Sequence, residues 1–228
     1  TLIALLVVVG CTSQSQKETN IDSGGQTTQS QKQQKVTIRV GEIYTEKGDN
    51  WIELHGNYWP GTSEKAIVLA HMMEGTKESW DNLPELLNEK GLHVLAIDLR
   101  GHGKSTKRLI FDEEHKLDYR EFTDEEHQKY VYDIERVIIW LHNQKNLSYD
   151  NIFVGGASIG ANAALQYMSL HEETSRGFML SPGLDYKGLK ADEFMEQLTD
   201  KQWVYLVAAQ DDEYSAQSVS ALEQVGNS

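Results

Sequence analysis

The sequence holds one cysteine, Cys11, among 228 residues. A single thiol makes no intramolecular disulfide framework and no multi-cysteine zinc site, so neither device staples this fold. Positive charge is also scarce: 21 Lys and Arg stand against 35 Asp and Glu, a formal charge of −14. Binding to a phosphate backbone is driven by basic surface, so this balance argues against nucleic acid as a partner. No GxGxxG or P-loop stretch occurs, which leaves nucleotide cofactors without support. His171-Glu172-Glu173-Thr174 lacks the second histidine of a zincin helix and the other histidines are scattered, so the expectation is no metal and no cofactor. No internal repeat is present. The 25% charged and 39% hydrophobic residues suit one soluble globular domain plus an appendage.

The appendage is N-terminal. Thr1 to Gly10 is an apolar run too short to span a bilayer but of the length of a signal-peptide core. Val8-Val9-Gly10-Cys11 resembles a bacterial lipobox, in which the peptide is cut before the cysteine and the thiol is lipidated. Residues 12 to 35 have almost no large apolar side chains and are rich in Gln, Ser and Thr, so they bury too little surface to fold. As a flexible tether this stretch would reach roughly 25–30 Å from a membrane surface. The expected organisation is a signal-peptide remnant over 1–10, a lipidated Cys11 with its tether over 11–35, and a folded domain over 36–228. The protein is expected outside the cytoplasm, held to the membrane by its lipid. The first residue is Thr, with no basic segment before the apolar run, so the chain reads as clipped at its start.

From Val36 the periodicity changes. Val36 to Val40 and Trp51 to Trp59 alternate as an antiparallel pair of strands, and Pro60-Gly61 turns the chain. Ala66 to Ala70 and His93 to Ile97 are continuous apolar runs of the kind covered on both faces of a sheet. Between them a helix is expected with Trp80, Leu83, Leu86 and Leu87 on one side, Pro84 in its first turn and Gly91 as its stop. Strand, helix, strand at this spacing implies a parallel sheet with right-handed crossovers. Thr106 to Phe122 shows no firm period and reads as a surface excursion. Thr123-Asp124-Glu125-Glu126 is a capping box opening a helix whose buried stripe is Val131, Ile134, Val137, Ile138 and Leu141. Later strands are expected at Gly177 to Leu180 and Trp203 to Ala209, with a short helix around Ala191 to Leu198 and a last helix from about Ala216. About 20 residues between those two strands leave no room for a separate lid domain.

The stretch Asn151 to Ala163 organises the rest. An apolar strand, Asn151 to Gly155, meets Gly156-Ala157-Ser158-Ile159-Gly160 and then an Ala-rich helix. A GxSxG between strand and helix is a nucleophile elbow: a strained turn exposes the serine hydroxyl while small neighbours let strand and helix pass closely. A serine hydroxyl becomes nucleophilic when a base takes its proton, and a carboxylate holds that base in the right tautomer.

Taken together, the His71-Met72-Met73 loop, the Asp98-Leu99-Arg100-Gly101-His102-Gly103-Lys104-Ser105 stretch, the elbow and Ala209-Gln210-Asp211-Asp212 resemble, in that order, an α/β-hydrolase-fold serine hydrolase over about 36–228. The resemblance implies an α/β fold with a mostly parallel central sheet and helices on both faces. It implies Ser158 as nucleophile and Asp212 as acid, with Asp211 the alternative. It implies oxyanion donors from the backbone of Ile159 and of Met73, with Met72 as the alternative because it stands where the family commonly has Gly. His71 and His102 fall where the family uses histidine for packing. Chain order in this fold is Ser, acid, His, and all eight histidines precede Asp211. The expectation is therefore that the family's last strand, His loop and terminal helix lie after Ser228, and that residues 1–228 alone are inactive. The expected reaction is hydrolysis of a small carboxylic ester through an acyl-enzyme, by a monomer. Thioesters and peptides are further substrates of this fold, and a non-catalytic surface binding module on the same scaffold is the reading from another class.

Overall fold

A computed structural model of the chain describes residues 32–45, 48–111 and 113–226. Cys11 and most of the expected tether lie outside these residues. The strands are β1 (Gln34–Thr45), β2 (Gly48–Trp59), β3 (Ala66–Ala70), β4 (His93–Ile97), β5 (Lys107–Ile110), β6 (Glu113–Lys116), β7 (Ile152–Ala157), β8 (Arg176–Leu180), β9 (Asp185–Tyr186), β10 (Leu189–Lys190) and β11 (Trp203–Val207). The α-helices are α1 (Leu83–Glu89), α2 (Asp124–His127), α3 (Tyr130–Lys145), α4 (Ile159–Leu170), α5 (Ala191–Glu196) and α6 (Glu213–Gly226). Among the described residues no helix is long and apolar enough to cross a membrane.

The main sheet runs β11-β8-β7-β3-β4-β2-β5-β6, with β1 against β2. The five strands from β11 to β4 are parallel; the rest pair antiparallel. Two-residue periodicity divides the core between the faces. Val68 and Ala70 of β3, with Leu95 and Ile97 of β4, join the large cluster that α3, α4, α5 and α6 cover. Ile67, Leu69, Val94 and Ala96 face the other way, against Trp80 and the half-buried Leu83 and Leu87. Helices thus lie on both faces, as the apolar runs imply. The expected buried stripe of α3 is all buried. That helix is also fastened by a buried ion pair, Arg100 Nη2 to Asp133 Oδ1 at 2.7 Å, while Arg100 N donates to Asp133 Oδ2 at 2.9 Å.

Four expectations need correction. Thr106 to Phe122 is not a structureless excursion, because β5 and β6 form a hairpin that extends the sheet along β2. Its residues are half-buried or exposed, so nothing imposes apolar alternation. Charge across the strands supports the pairing instead, with Lys107 Nζ 2.9 Å from Glu114 Oε2. Leu86 is 50% exposed rather than packed, since Trp80 belongs to a separate 3₁₀ turn (Lys77–Trp80) and Asp81, at φ 46°, redirects the chain before α1. The helix opened by Thr123 breaks at Gln128–Lys129 into α2 and α3. The last helix begins at Glu213, three residues earlier than the sequence suggests.

Candidate active site

The C-terminal ends of the parallel strands carry every loop singled out in the sequence, as open α/β sheets place their ligands. At the end of β7, Ser158 has φ 52° and ψ −122°, a conformation that L side chains rarely adopt. Close packing enforces it. A Cβ on Gly156 would lie 2.1 Å from the Gly160 carbonyl oxygen, and one on Gly160 would lie 2.3 Å from Ala70 O and 2.4 Å from His71 O. The two glycines of the elbow therefore let α4 cross β7 and press against the loop after β3. Ser158 N donates to Leu180 O at 2.8 Å, and Ser158 O accepts from Ala161 N at 2.9 Å. Its hydroxyl makes no hydrogen bond among the described residues and is half-exposed. Ile159 is the first residue of α4, so its N–H has no carbonyl one turn earlier and stays available to an anion.

The loop after β3 meets the elbow at Gly160. His71 is buried; its Nδ1 donates to Met72 O at 2.7 Å and its Nε2 accepts from Leu99 N at 3.0 Å. Met72 O also accepts from Gly75 N at 2.9 Å. Two donors thus fix the Met72–Met73 peptide plane. In a trans peptide the Met73 N–H then points away from the His71 ring and Gly75. Met73 packs its side chain on the large core, whereas the Met72 side chain is 40% exposed.

Past β8, Ser181 (φ 46°) donates its N–H to Val207 O at 2.7 Å, which joins the elbow side of the sheet to the end of β11. Asp212 follows as the N-cap of α6, its Oδ1 accepting from Ser215 N at 3.2 Å. The Ser215 hydroxyl and amide, with a smaller contribution from the Ser181 hydroxyl, hold the Asp212 carboxyl below its ordinary range. Asp211 is exposed. Ser158, Leu180, Ser181 and Asp212 thus form a continuous chain of neighbours. Asn162, fully buried in α4, also holds the segment after β8, its Nδ2 donating to Gly183 O at 2.8 Å and to Leu189 O at 2.7 Å. Sequence reading passed over Ser181 and Asn162, because neither belongs to a motif.

All eight histidines are described, and those with partners have them elsewhere. Both His71 nitrogens are engaged, and burial lowers its pKa. His102 is buried with Nε2 2.9 Å from the Tyr130 hydroxyl, stacks on Tyr119 and is pushed down to about 3 by burial, so it stays neutral near pH 7. The same Tyr130 hydroxyl meets His127 Nδ1 at 3.0 Å. His55 pairs with Glu53, His93 with Tyr58 at the far end of the sheet, His142 with Leu147 O, and His171 with Glu173 beyond α4. His115 is exposed on β6.

Beside the elbow is a cavity of about 240 Å³ lined by His71, Met72, Ser79, Trp80, Leu83, Ala157 and Leu180. A larger cavity, about 470 Å³, lies away from it between Gly41, Arg100 and α3. Among the described residues no cluster of three or more His, Cys, Asp or Glu side chains could hold a metal ion.

The model of the Hydrolase_4 family, described as serine aminopeptidase S33, matches residues 61–223, more than half of the chain. Among solved structures, the Pyrococcus furiosus esterase Pf2001 superposes with a TM-score of 0.58 at 18% identity, over 85% of this chain and 78% of its own. A Bacteroides ovatus protein assigned to the dipeptidyl aminopeptidase IV type gives 0.63 at 16% identity, over 87% of this chain and 31% of its own. DcsB, solved with a substrate analogue, gives 0.51 at 16% identity, over 68% of this chain and 47% of its own. This chain therefore spans about half the length of DcsB. At such identities the likeness is one of fold. No curated protein sequence matches.

Proposed function

The chain belongs to the Hydrolase_4 family of α/β-fold hydrolases, and on that premise we propose that it is a serine hydrolase cleaving small carboxylic esters through an acyl-enzyme. The observation that carries this reading is Ser158: a strained turn presents a hydroxyl that makes no hydrogen bond among the described residues, beside the Ile159 amide at the start of α4. In the proposed cycle Ser158 Oγ attacks the ester carbonyl and gives its proton to the base. Negative charge collects on the carbonyl oxygen, held by the N–H groups of Ile159 and Met73. The base returns the proton to the departing alcohol, and water then releases the acid by the same steps reversed. Asp212 is the acid that would orient the base.

Geometry favours these assignments over their alternatives. The fixed Met72–Met73 peptide leaves Met73 N–H pointing away from His71, and Asp212 rather than Asp211 is held by neighbours along the strand ends. The base in this proposal is a histidine, and among the described residues none of the eight histidines makes a hydrogen bond to Ser158 or Asp212.

A fluorophosphonate probe on the full-length protein should label Ser158, located by peptide mass mapping. The scattered histidine contacts favour a second reading, a binding module on a hydrolase scaffold. Folded full-length protein that takes no label would establish that reading in place of the first. We also propose that Cys11 is lipidated and holds a monomeric enzyme at the membrane outside the cytoplasm. Radiolabelled palmitate should enter the protein and be lost in Cys11→Ala; a Cys11→Ala variant still bound to membranes would remove the anchor.

A further inference from the structure

We infer that the 240 Å³ cavity beside Ser158 is the acyl pocket and that it selects esters of compact, uncharged acids, up to about eight carbons or a single aromatic ring. This rests on the hydrolase reading above. Position comes first. Ala157 directly precedes the nucleophile, Leu180 is the residue whose carbonyl accepts the Ser158 N–H, and His71 and Met72 open the loop that carries the second proposed oxyanion donor. An acyl carbon bonded to Ser158 Oγ, with its oxygen toward Ile159 N, lies at the wall shared by these residues.

The lining then sets the chemistry. Met72, Leu83, Ala157 and Leu180 are apolar, Trp80 adds a ring whose one polar atom, Nε1, is buried with no partner among the described residues, both His71 nitrogens are already engaged, and Ser79 Oγ accepts from Thr76 N at 3.0 Å. No acidic side chain lines the cavity, so nothing there would pair with the free α-amino group of an aminopeptidase substrate. No basic side chain lines it either, and His71 is kept neutral by burial, so a dicarboxylic half-ester would bury an unpaired carboxylate. An apolar acyl group is the ligand that such a surface rewards.

Volume sets the size. A dry cavity of about 150 Å³ accommodates benzene. A cavity of about 240 Å³ takes roughly half as much again. Trp80 is held in place by packing on Phe178, edge to face at 6.0 Å, so a longer chain would have to displace a buried ring. Met72, unbranched and 40% exposed, is the adaptable part of the wall.

The test is a p-nitrophenyl ester series from acetate to palmitate, with benzoate and leucine p-nitroanilide, on the full-length protein. We expect kcat/KM to rise about fourfold per methylene to an optimum between butyrate and octanoate. It should fall at least tenfold by laurate, and the anilide should not be turned over. Leu83→Phe, which takes up pocket volume, should lower the octanoate-to-acetate ratio at least tenfold, and Leu83→Ala should raise it. An optimum at laurate or beyond, comparable cleavage of the anilide, or a ratio unmoved in both variants would overturn the pocket assignment while fluorophosphonate labelling still upheld the hydrolase. Absence of both labelling and ester turnover would overturn the two together.

Discussion

Ser158→Ala is expected to lower ester kcat/KM by about 10⁴–10⁶-fold, the scale seen when a serine-protease nucleophile is removed. It should abolish fluorophosphonate labelling as well. Stability should move by no more than about 0.5 kcal/mol, because the lost hydroxyl makes no hydrogen bond among the described residues and leaves no partner unpaired. That combination separates a chemical role from a structural one. Turnover retained within tenfold, with the variant folded, would sink the assignment of Ser158 as nucleophile.

Asp98→Ala should have the largest effect on stability, about 3–5 kcal/mol, by the known cost of breaking one side of a buried ion pair. Asp98 is fully buried and Lys77 is only 4% exposed, with Nζ 2.6 Å from Asp98 Oδ2. The same carboxylate accepts from Lys77 N at 2.8 Å and Lys104 N at 2.9 Å. It therefore clamps the segment after β3 to the segment after β4, and alanine would leave two amides without their acceptor and the buried Lys77 ammonium with only the exposed Glu78 carboxylate, 3.1 Å away. Adding Lys77→Met should recover much of the loss, since an apolar pair of similar volume often equals a buried ion pair. Urea denaturation of the two single variants and the double variant measures this as a coupling energy. Additive losses would mean that the pair is not the source of the effect.

How much was legible in the sequence depended on whether the physical cause was local. The elbow was readable because its need for small residues is written at Gly156 and Gly160, where a Cβ would strike backbone at 2.1 and 2.3 Å. The parallel strands were readable because burial on both faces leaves runs such as Ala66 to Ala70 wholly apolar. The β5–β6 hairpin was not, since an edge held by Lys107 and Glu114 needs no apolar pattern. The position of Leu86 turned on one residue, Asp81, whose positive φ no periodicity announces. The cavity was out of reach for a different reason. Its walls come from four separate stretches around residues 71, 80, 157 and 180, which only the tertiary fold brings together.

Asp212 both caps α6 and stands as the proposed acid, so one side chain answers to two demands at once. Asparagine caps a helix about as well as aspartate, while alanine forfeits about 1 kcal/mol. An asparagine there offers the base an uncharged amide in place of a carboxylate. Drift at this position is therefore asymmetric: a lineage that loses the need for turnover can pass through asparagine with its fold intact, leaving a stable scaffold free to be recruited for binding alone.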